Sequence, residues 1–230
     1  MARVKVATES ITFTESDIDY EVDADVPVVS GTDAAVAKRI NSYLRTEAQQ
    51  SIDTFRKQIE SIERDSKPVG KRTSRLAARF ETTLLRAQLM SVRMDISALQ
   101  AGASAPEEFV ATYVFDLGTG RHIGLEDLYG AKDYLALFSG RAHGDLPDKY
   151  NIDPDADKGR FNDGVEAKDK SFQAYVLTDE GVRVYFQPGQ IAPMAEGILE
   201  LDVPYDVLDP FVNPHLPPIV ELHKQVSAAN

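Results

Sequence analysis

The sequence predicts an α+β fold in which antiparallel sheets pack against one long helix and a second, shorter helix. Three observations lead there. Apolar and polar residues alternate at period two in several separate stretches, the signature of half-buried strands. One run between Val36 and Ile62 places its apolar residues three or four apart, the signature of an amphipathic helix. Residues Phe172 to Tyr205 compress two strands, a tight turn, a proline-framed loop and a third strand into a segment with little slack.

The first strand is read from Asp17 to Val26, where Ile18, Tyr20, Val22, Ala24 and Val26 share one face and Asp17, Asp19, Glu21, Asp23 and Asp25 share the other. Carboxylates on such a face lie roughly 6.6–6.8 Å apart. The face admits three readings: a solvated, aggregation-resistant strand surface, a docking strip for a cationic partner, or a metal site. Pro27 to Gly31 leads out of the strand, and Thr32 or Asp33 is placed to cap the helix that follows. That helix carries Val36, Ile40, Leu44, Ala48, Ile52, Phe55, Ile59 and Ile62 on its buried stripe, spans roughly 45 Å and ends at Pro68 and Gly70. Lys67 to Arg75 reads as a basic connector, with Lys67, Lys71 and Arg72 as an alternative phosphate site.

Period two returns at Leu76–Phe80, Met90–Ile96 and Phe109–Phe115. Asp116 to Arg121 is a hairpin turn because its glycines permit positive φ. Leu125–Tyr129 is a short helical cap, and a helix is expected from about Lys132 to His143. Gly144 to Lys170 is polar and weakly patterned. Its Asn151, Asp153, Asp155 and Asp157 stand at calcium-loop spacing, but the twelfth position is Asn162 or Gly164 rather than Glu. In the closing hairpin, Thr178-Asp179-Glu180-Gly181 turns the chain between the strands. Pro188-Gly189 and Pro193 frame the loop, and Ile198 to Val203 returns as a strand. After one helical turn at Asp206–Val212, Pro210, Pro214, Pro217 and Pro218 predict an extended tail, with Val220–Val226 as a frayed terminal helix.

Composition narrows the function classes. A chain of 230 residues suits one large domain or two small intertwined ones. The net charge of −12 disfavours nucleic acid and anionic membranes and favours a cationic partner. With no cysteine, disulfides, zinc–thiolate sites and thiol catalysis are excluded. No run is long and apolar enough to span a bilayer, and Met1 to Lys5 lacks an apolar signal core. His122, His143, His215 and His223 share no metal-ligand spacing, and no phosphate loop, dinucleotide fingerprint or nucleophile elbow occurs. Ser139 and His143 stand four apart on a helix without a visible oxyanion hole. No catalytic residue, metal or cofactor is therefore assigned.

The strand, Pro27-Val28-Val29-Ser30-Gly31 and the long helix resemble the N-terminal module of the peptidoglycan deacetylase PdaC and the RsiV-type anti-sigma factors. The Met90–Leu99 and Phe109–Phe115 strands, with Phe115-Asp116-Leu117-Gly118-Thr119-Gly120 and Leu125-Glu126-Asp127-Leu128-Tyr129, resemble the module that follows in RsiV. Leu177–Val182, Tyr185-Phe186-Gln187-Pro188, Ile191-Ala192-Pro193 and Gly197 match that family's Thr-Asp-x-Gly hairpin and proline-framed loop. The resemblance spans roughly residues 10–210, and a more distant group, the secreted mycobacterial immunogenic antigens, shares the hairpin pattern. It implies three segments: a strand–helix module at 1–74, an antiparallel α+β module at 75–210 and a proline-rich tail at 211–230. The two modules are expected to form one compact unit. It further implies an extracytoplasmic, non-catalytic binding domain of a secreted or cell-envelope protein, with its export or anchor segment outside this chain. The implied partner is a cationic protein such as lysozyme, or a cell-wall glycan. An esterase-like hydrolase (with Ser104, Ser139, Ser171 and His143 to mutate first) and a structural envelope lipoprotein domain are the alternatives. The chain departs from the family in lacking a sigma-binding segment, a transmembrane helix and a deacetylase domain, and in having Ala101-Gly102-Ala103-Ser104-Ala105 where a His-containing turn is expected. Candidate binding residues are Asp17, Asp19, Glu21, Asp23 and Asp25 on the acidic strand, and Pro188, Gln190 and Pro193 on the loop.

Overall fold

A computed structural model describes residues 3–16, 19–65, 73–130, 133–156 and 159–228, with only the backbone at 62–65. The chain is a mixed α+β structure in which the described residues form eight strands in two sheets, ordered β1-β2-β3-β4-β5 and β6-β7-β8. It forms two compact units. One comprises Met1–Glu81, Met94–Phe109 and Gly118–Gly120; the other comprises Thr82–Arg93, Val110–Leu117 and Arg121–Asn230.

In the first unit, β1 (Lys5–Glu15) and β2 (Tyr20–Ser30) pair antiparallel from Lys5↔Ser30 to Glu15↔Tyr20. Strand β1 escapes periodicity analysis because neither of its faces is fully buried, so no apolar alternation marks it. Strand β2 buries Tyr20, Val22, Ala24 and Val26, as its alternation predicts, and runs on through the segment expected to leave the sheet. Its other neighbour corrects a purely antiparallel reading: β3 (Ser74–Arg86) lies parallel to it, from Tyr20↔Ser74 to Ala24↔Ala78. The physical reason is the connection. Helix α1 (Ala34–Asp65) carries the chain along the sheet before β3 begins, and such a crossover returns the next strand in the same direction. Helix α1 buries Ile40, Leu44, Ile52, Phe55 and Ile59, and Tyr20 meets Phe55 edge-on at 6.2 Å between ring centres. Asp33 is the cap, its Oδ1 accepting from the Ala35 N–H at 2.8 Å and the Val36 N–H at 3.3 Å. The connector with Lys67, Lys71 and Arg72 lies outside the described residues.

Strands β4 (Leu89–Leu99) and β5 (Glu107–Asp116) complete the larger sheet. In the second unit the core gathers around Phe138, Phe172, Phe186, Leu128 and Leu208. Helix α2 (Leu125–Leu128) is the expected cap. Helix α3 (Tyr134–Tyr150) runs seven residues past the expected end at His143 and includes Pro147. It continues because Phe138, Ala142 and Leu146, spaced by four, are all buried at 0% exposure, and that packing outweighs two glycines. Asn151 caps it in the left-handed region at φ 52°. The polar stretch beyond holds α4 (Arg160–Gly164) and a 3-10 turn at Asp169–Ser171.

The closing hairpin is β6 (Tyr175–Leu177), β7 (Gly181–Phe186) and β8 (Leu199–Pro204), all antiparallel. Gly181 is required by close packing: a Cβ there would stand 2.2 Å from the Val203 carbonyl oxygen. After α5 (Tyr205–Leu208), the terminal helix expected at Val220–Val226 is present as α6 (Pro217–Ser227); it starts three residues earlier, inside the segment expected to be extended, and is packed rather than frayed, with Ile219, Leu222, His223 and Val226 buried. The two prolines open the helix at its first turn, where no intrahelical N–H is needed, so they start it rather than prevent it.

Candidate functional site

A concave site in the second unit begins at the Asp116–Arg121 turn. The Asp116 N–H donates to the Arg121 carbonyl at 3.0 Å, Phe115 bridges His122, and the Ile123 N–H donates to the Val114 carbonyl at 2.8 Å. This places His122 and Ile123 alongside β5. Gly124 then caps α2, and Asp127 fixes the corner: one carboxylate oxygen accepts from the Gly124 N–H at 3.1 Å, and the other pairs with Arg121 at 2.9 Å. Helix α3 supplies Tyr134, the 3-10 turn supplies Asp169, and the approach to β6 supplies Phe172 and Tyr175. Together they line a cleft of about 380 Å³, within the usual range for small-ligand sites.

Its polar groups are held in place. The Tyr175 hydroxyl donates to the Ile123 carbonyl at 2.7 Å, and the Tyr175 N–H donates to Thr112 Oγ1 at 2.9 Å. The Tyr134 hydroxyl donates to Asp169 Oδ1 at 3.1 Å. Burial pushes the Tyr134 phenol well up, with the Asp169 charge adding to it; burial does the same to Tyr175, so both remain donors at physiological pH. His122 stands at the mouth with its outer edge exposed and its ring against Phe115 and Tyr113, at 5.5 and 6.1 Å between ring centres. Desolvation lowers its pKa below the ordinary 6.5, opposed by the charges of Glu126 and Asp127. Desolvation therefore favours the neutral imidazole. Among the described residues, no group of three or more His, Asp or Glu side chains is placed to hold a metal.

The acidic strand is internally partnered. Asp17 lies outside the described residues. Asp19, at φ 41°, accepts from the Thr73 hydroxyl at 3.0 Å. Glu21 pairs with Arg75 at 2.9 Å, Asp23 pairs with Arg79, and Asp25 lies 3.5 Å from Arg79 and accepts from Ser10 at 2.7 Å. The parallel register of β2 and β3 sets arginines beside carboxylates, which the alternation within one strand does not reveal. These pairs are half-exposed, so each contributes little to stability, but they cancel much of the strip's negative field.

The proline-framed loop forms the wall of a second cleft of about 240 Å³, where Ile191, Ala192 and Pro193 face Tyr150, Arg160 and Phe161. Gln190 holds the loop's shape: its amide donates to the Ser171 carbonyl at 3.1 Å and its oxygen accepts from the Gln187 N–H at 3.0 Å. Pro188 is half-buried at the entry, and the Gly189 carbonyl accepts from Arg160 at 3.2 Å. Of the two sets of candidate residues, the acidic strand lies in one unit and the loop in the other. Of the calcium-spaced residues, Asn151 ends α3, Asp153 caps the Asp155 N–H at 3.0 Å, and Asp157 lies outside the described residues. His143 Nδ1 meets the Ser139 main-chain oxygen at 2.8 Å rather than its hydroxyl, and its Nε2 meets Asn162 at 3.2 Å, so this pair is not arranged as nucleophile and base.

Sequence reasoning did not single out His122, Glu126, Tyr134, Asp169 and Tyr175. The available signal was indirect: the Asp116–Arg121 turn and the Leu125–Tyr129 cap lie beside each other in the chain, while Tyr175 comes from 52 residues beyond Ile123.

An α+β chain with an acid-rimmed cleft in its second unit is the class of protein that this geometry defines. Residues 126–206 match the family described as "Protein of unknown function (DUF3298)". The fold is shared with a DUF3298-family protein of Bacteroides fragilis NCTC 9343, at a TM-score of 0.70 and 13% identity over 97% of this chain and 98% of that one. A DUF3298-family protein of Pseudomonas aeruginosa PAO1 is similar at a TM-score of 0.61 and 13% identity, over 93% and 95% of the two chains. At this identity the likeness is one of fold. No curated protein matches the chain.

Proposed function

We propose that this chain is a non-catalytic, extracytoplasmic binding domain that receives a basic protein partner, of which a c-type lysozyme is the representative. The observation that carries the reading is where the charge sits. The second unit holds 20 Asp and Glu against 12 Lys and Arg, whereas the first holds 17 against 13, and the first unit's acidic strand is already paired with Arg75 and Arg79. The larger share of the acidic excess thus lies on the unit that has both clefts. A basic partner gains association rate from such a field, and salt weakens that gain. The resemblance to RsiV-type ectodomains, which bind lysozyme, supports the choice of partner, and the DUF3298 match over residues 126–206 falls on the same unit.

The test is a titration of the purified chain with a c-type lysozyme at low and at high salt. Saturable binding that weakens as salt rises supports the reading. Absence of binding at both salt concentrations removes lysozyme as the representative partner.

A further inference from the structure

We propose that the cleft beside α2 and α3 is a socket for one alkyl cation, a lysine or arginine side chain presented by the basic partner. This rests on the binding-domain reading and names the contact it would make. The floor is apolar: Val114, Ile123, Leu125 and Phe172 are buried at 5% exposure or less, with Leu135 beside them. Among the described residues, the charged side chains of the lining are Glu126 and Asp169, with no Lys or Arg. Asp169 is oriented by the Tyr134 hydroxyl. The Glu126 carboxylate folds over Gly124, its oxygens 2.3 and 2.4 Å from where a Cβ would stand, so glycine there leaves room for the carboxylate. Among the described residues neither carboxylate has an ion pair. The neighbouring Asp127, by contrast, is taken up by Arg121 and the Gly124 N–H. Desolvation favours the uncharged form of His122, so it adds little positive charge beside the two carboxylates.

An apolar floor beneath two carboxylates matches a ligand with an apolar stem and a cationic head. Lysine and arginine have that form, because their methylene stems pack on apolar surface while the head stays at a polar rim. An anion would be repelled, and a purely apolar group would leave the two carboxylates without a partner.

The test uses the full chain and two small probes, N-acetyl-arginine amide and its neutral counterpart N-acetyl-norleucine amide, followed by NMR amide shifts. The arginine probe is expected to shift Ile123, Leu125 and Leu135 saturably, and the norleucine probe to bind about tenfold more weakly. E126Q/D169N should lower arginine-probe affinity and lysozyme affinity by a similar factor. The amide oxygen that D169N introduces can still accept from Tyr134, so an unchanged amide spectrum outside the cleft checks that the variant is folded. Equal binding of the two probes, or shifts that map elsewhere, overturns the socket. If lysozyme binds E126Q/D169N as well as it binds the unaltered chain, the socket fails while the binding-domain reading stands. If lysozyme never binds but the arginine probe does, the partner reading fails and the cleft's cation preference stands.

Discussion

Two buried tyrosines make opposite predictions for the same chemical change. Tyr129 is at 0% exposure, with its ring against Tyr134 and His223, both 6.1 Å away between ring centres. Its hydroxyl has no hydrogen-bond partner among the described residues. Tyr175 is at 5% exposure, and its hydroxyl donates to the Ile123 carbonyl at 2.7 Å. A hydroxyl buried without a partner costs about 1–3 kcal/mol. Tyr129→Phe keeps the ring contacts and removes that cost, so it should stabilise the second unit by about 1 kcal/mol. Tyr175→Phe leaves the Ile123 carbonyl without its donor and should destabilise by about 1–3 kcal/mol. Urea unfolding followed by far-UV circular dichroism measures both, since the chain has no tryptophan to report by fluorescence. With a urea slope of about 1–3 kcal/mol per molar, 1 kcal/mol moves the midpoint by about 0.3–1 M. The midpoint should rise for Tyr129→Phe and fall for Tyr175→Phe. A fall of similar size in both variants would refute the assignment of an unpartnered Tyr129 hydroxyl.

Acidification should weaken the fold through His223, which is at 5% exposure with Nδ1 2.6 Å from Asp209. Burial lowers its pKa despite the opposing pull of Asp209. The folded state therefore binds this proton less readily than the unfolded chain, so the contribution is complete above the ordinary value of 6.5 and is lost as pH falls from there through the folded value. His122 acts with the same sign, so H223Q should flatten the melting-temperature profile below pH 6.5 only in part; parallel profiles would exclude His223. Gly181→Ala should cost about 1–3 kcal/mol or more, because its Cβ meets the Val203 oxygen. Gly144→Ala inside α3, where nothing lies within 4 Å, should gain about 0.5–1 kcal/mol; chemical denaturation ranks the two. Leu222→Ala should cost about 2–5 kcal/mol if α6 is core rather than tail, and a loss within about 0.5 kcal/mol, typical of surface sites, would contradict that placement.

Local periodicity carried much of the fold. The stripe from Val36 to Ile59 defined α1, the alternation from Tyr20 to Val26 defined most of β2, and Thr178 to Gly181 marked the last hairpin. Each is a pattern written within one element, because the backbone repeats every 3.6 residues in a helix and every two in a strand. The misses share a cause. Strand β1 lacks a buried face, the last turns of α3 depend on Leu146 meeting a core built by distant residues, and the first turn of α6 is hidden because Pro217 and Pro218 look like a stop.

The candidate site was less legible. Of the candidate residues on the proline-framed loop, Pro193 lines a cleft and Gln190 holds the loop's shape. The acidic strand was visible, but the arginines that neutralise it are more than 50 residues away and reach it through a parallel register. The sequence by itself determined the helix stripe, the strand alternation, the closing hairpin and the acidic balance, all of which follow from residue type and short-range spacing. Only the tertiary structure decided which carboxylates are cancelled and which remain over an apolar floor. Charge pairing and concavity depend on distances between residues far apart in the chain, and no local repeat encodes those distances.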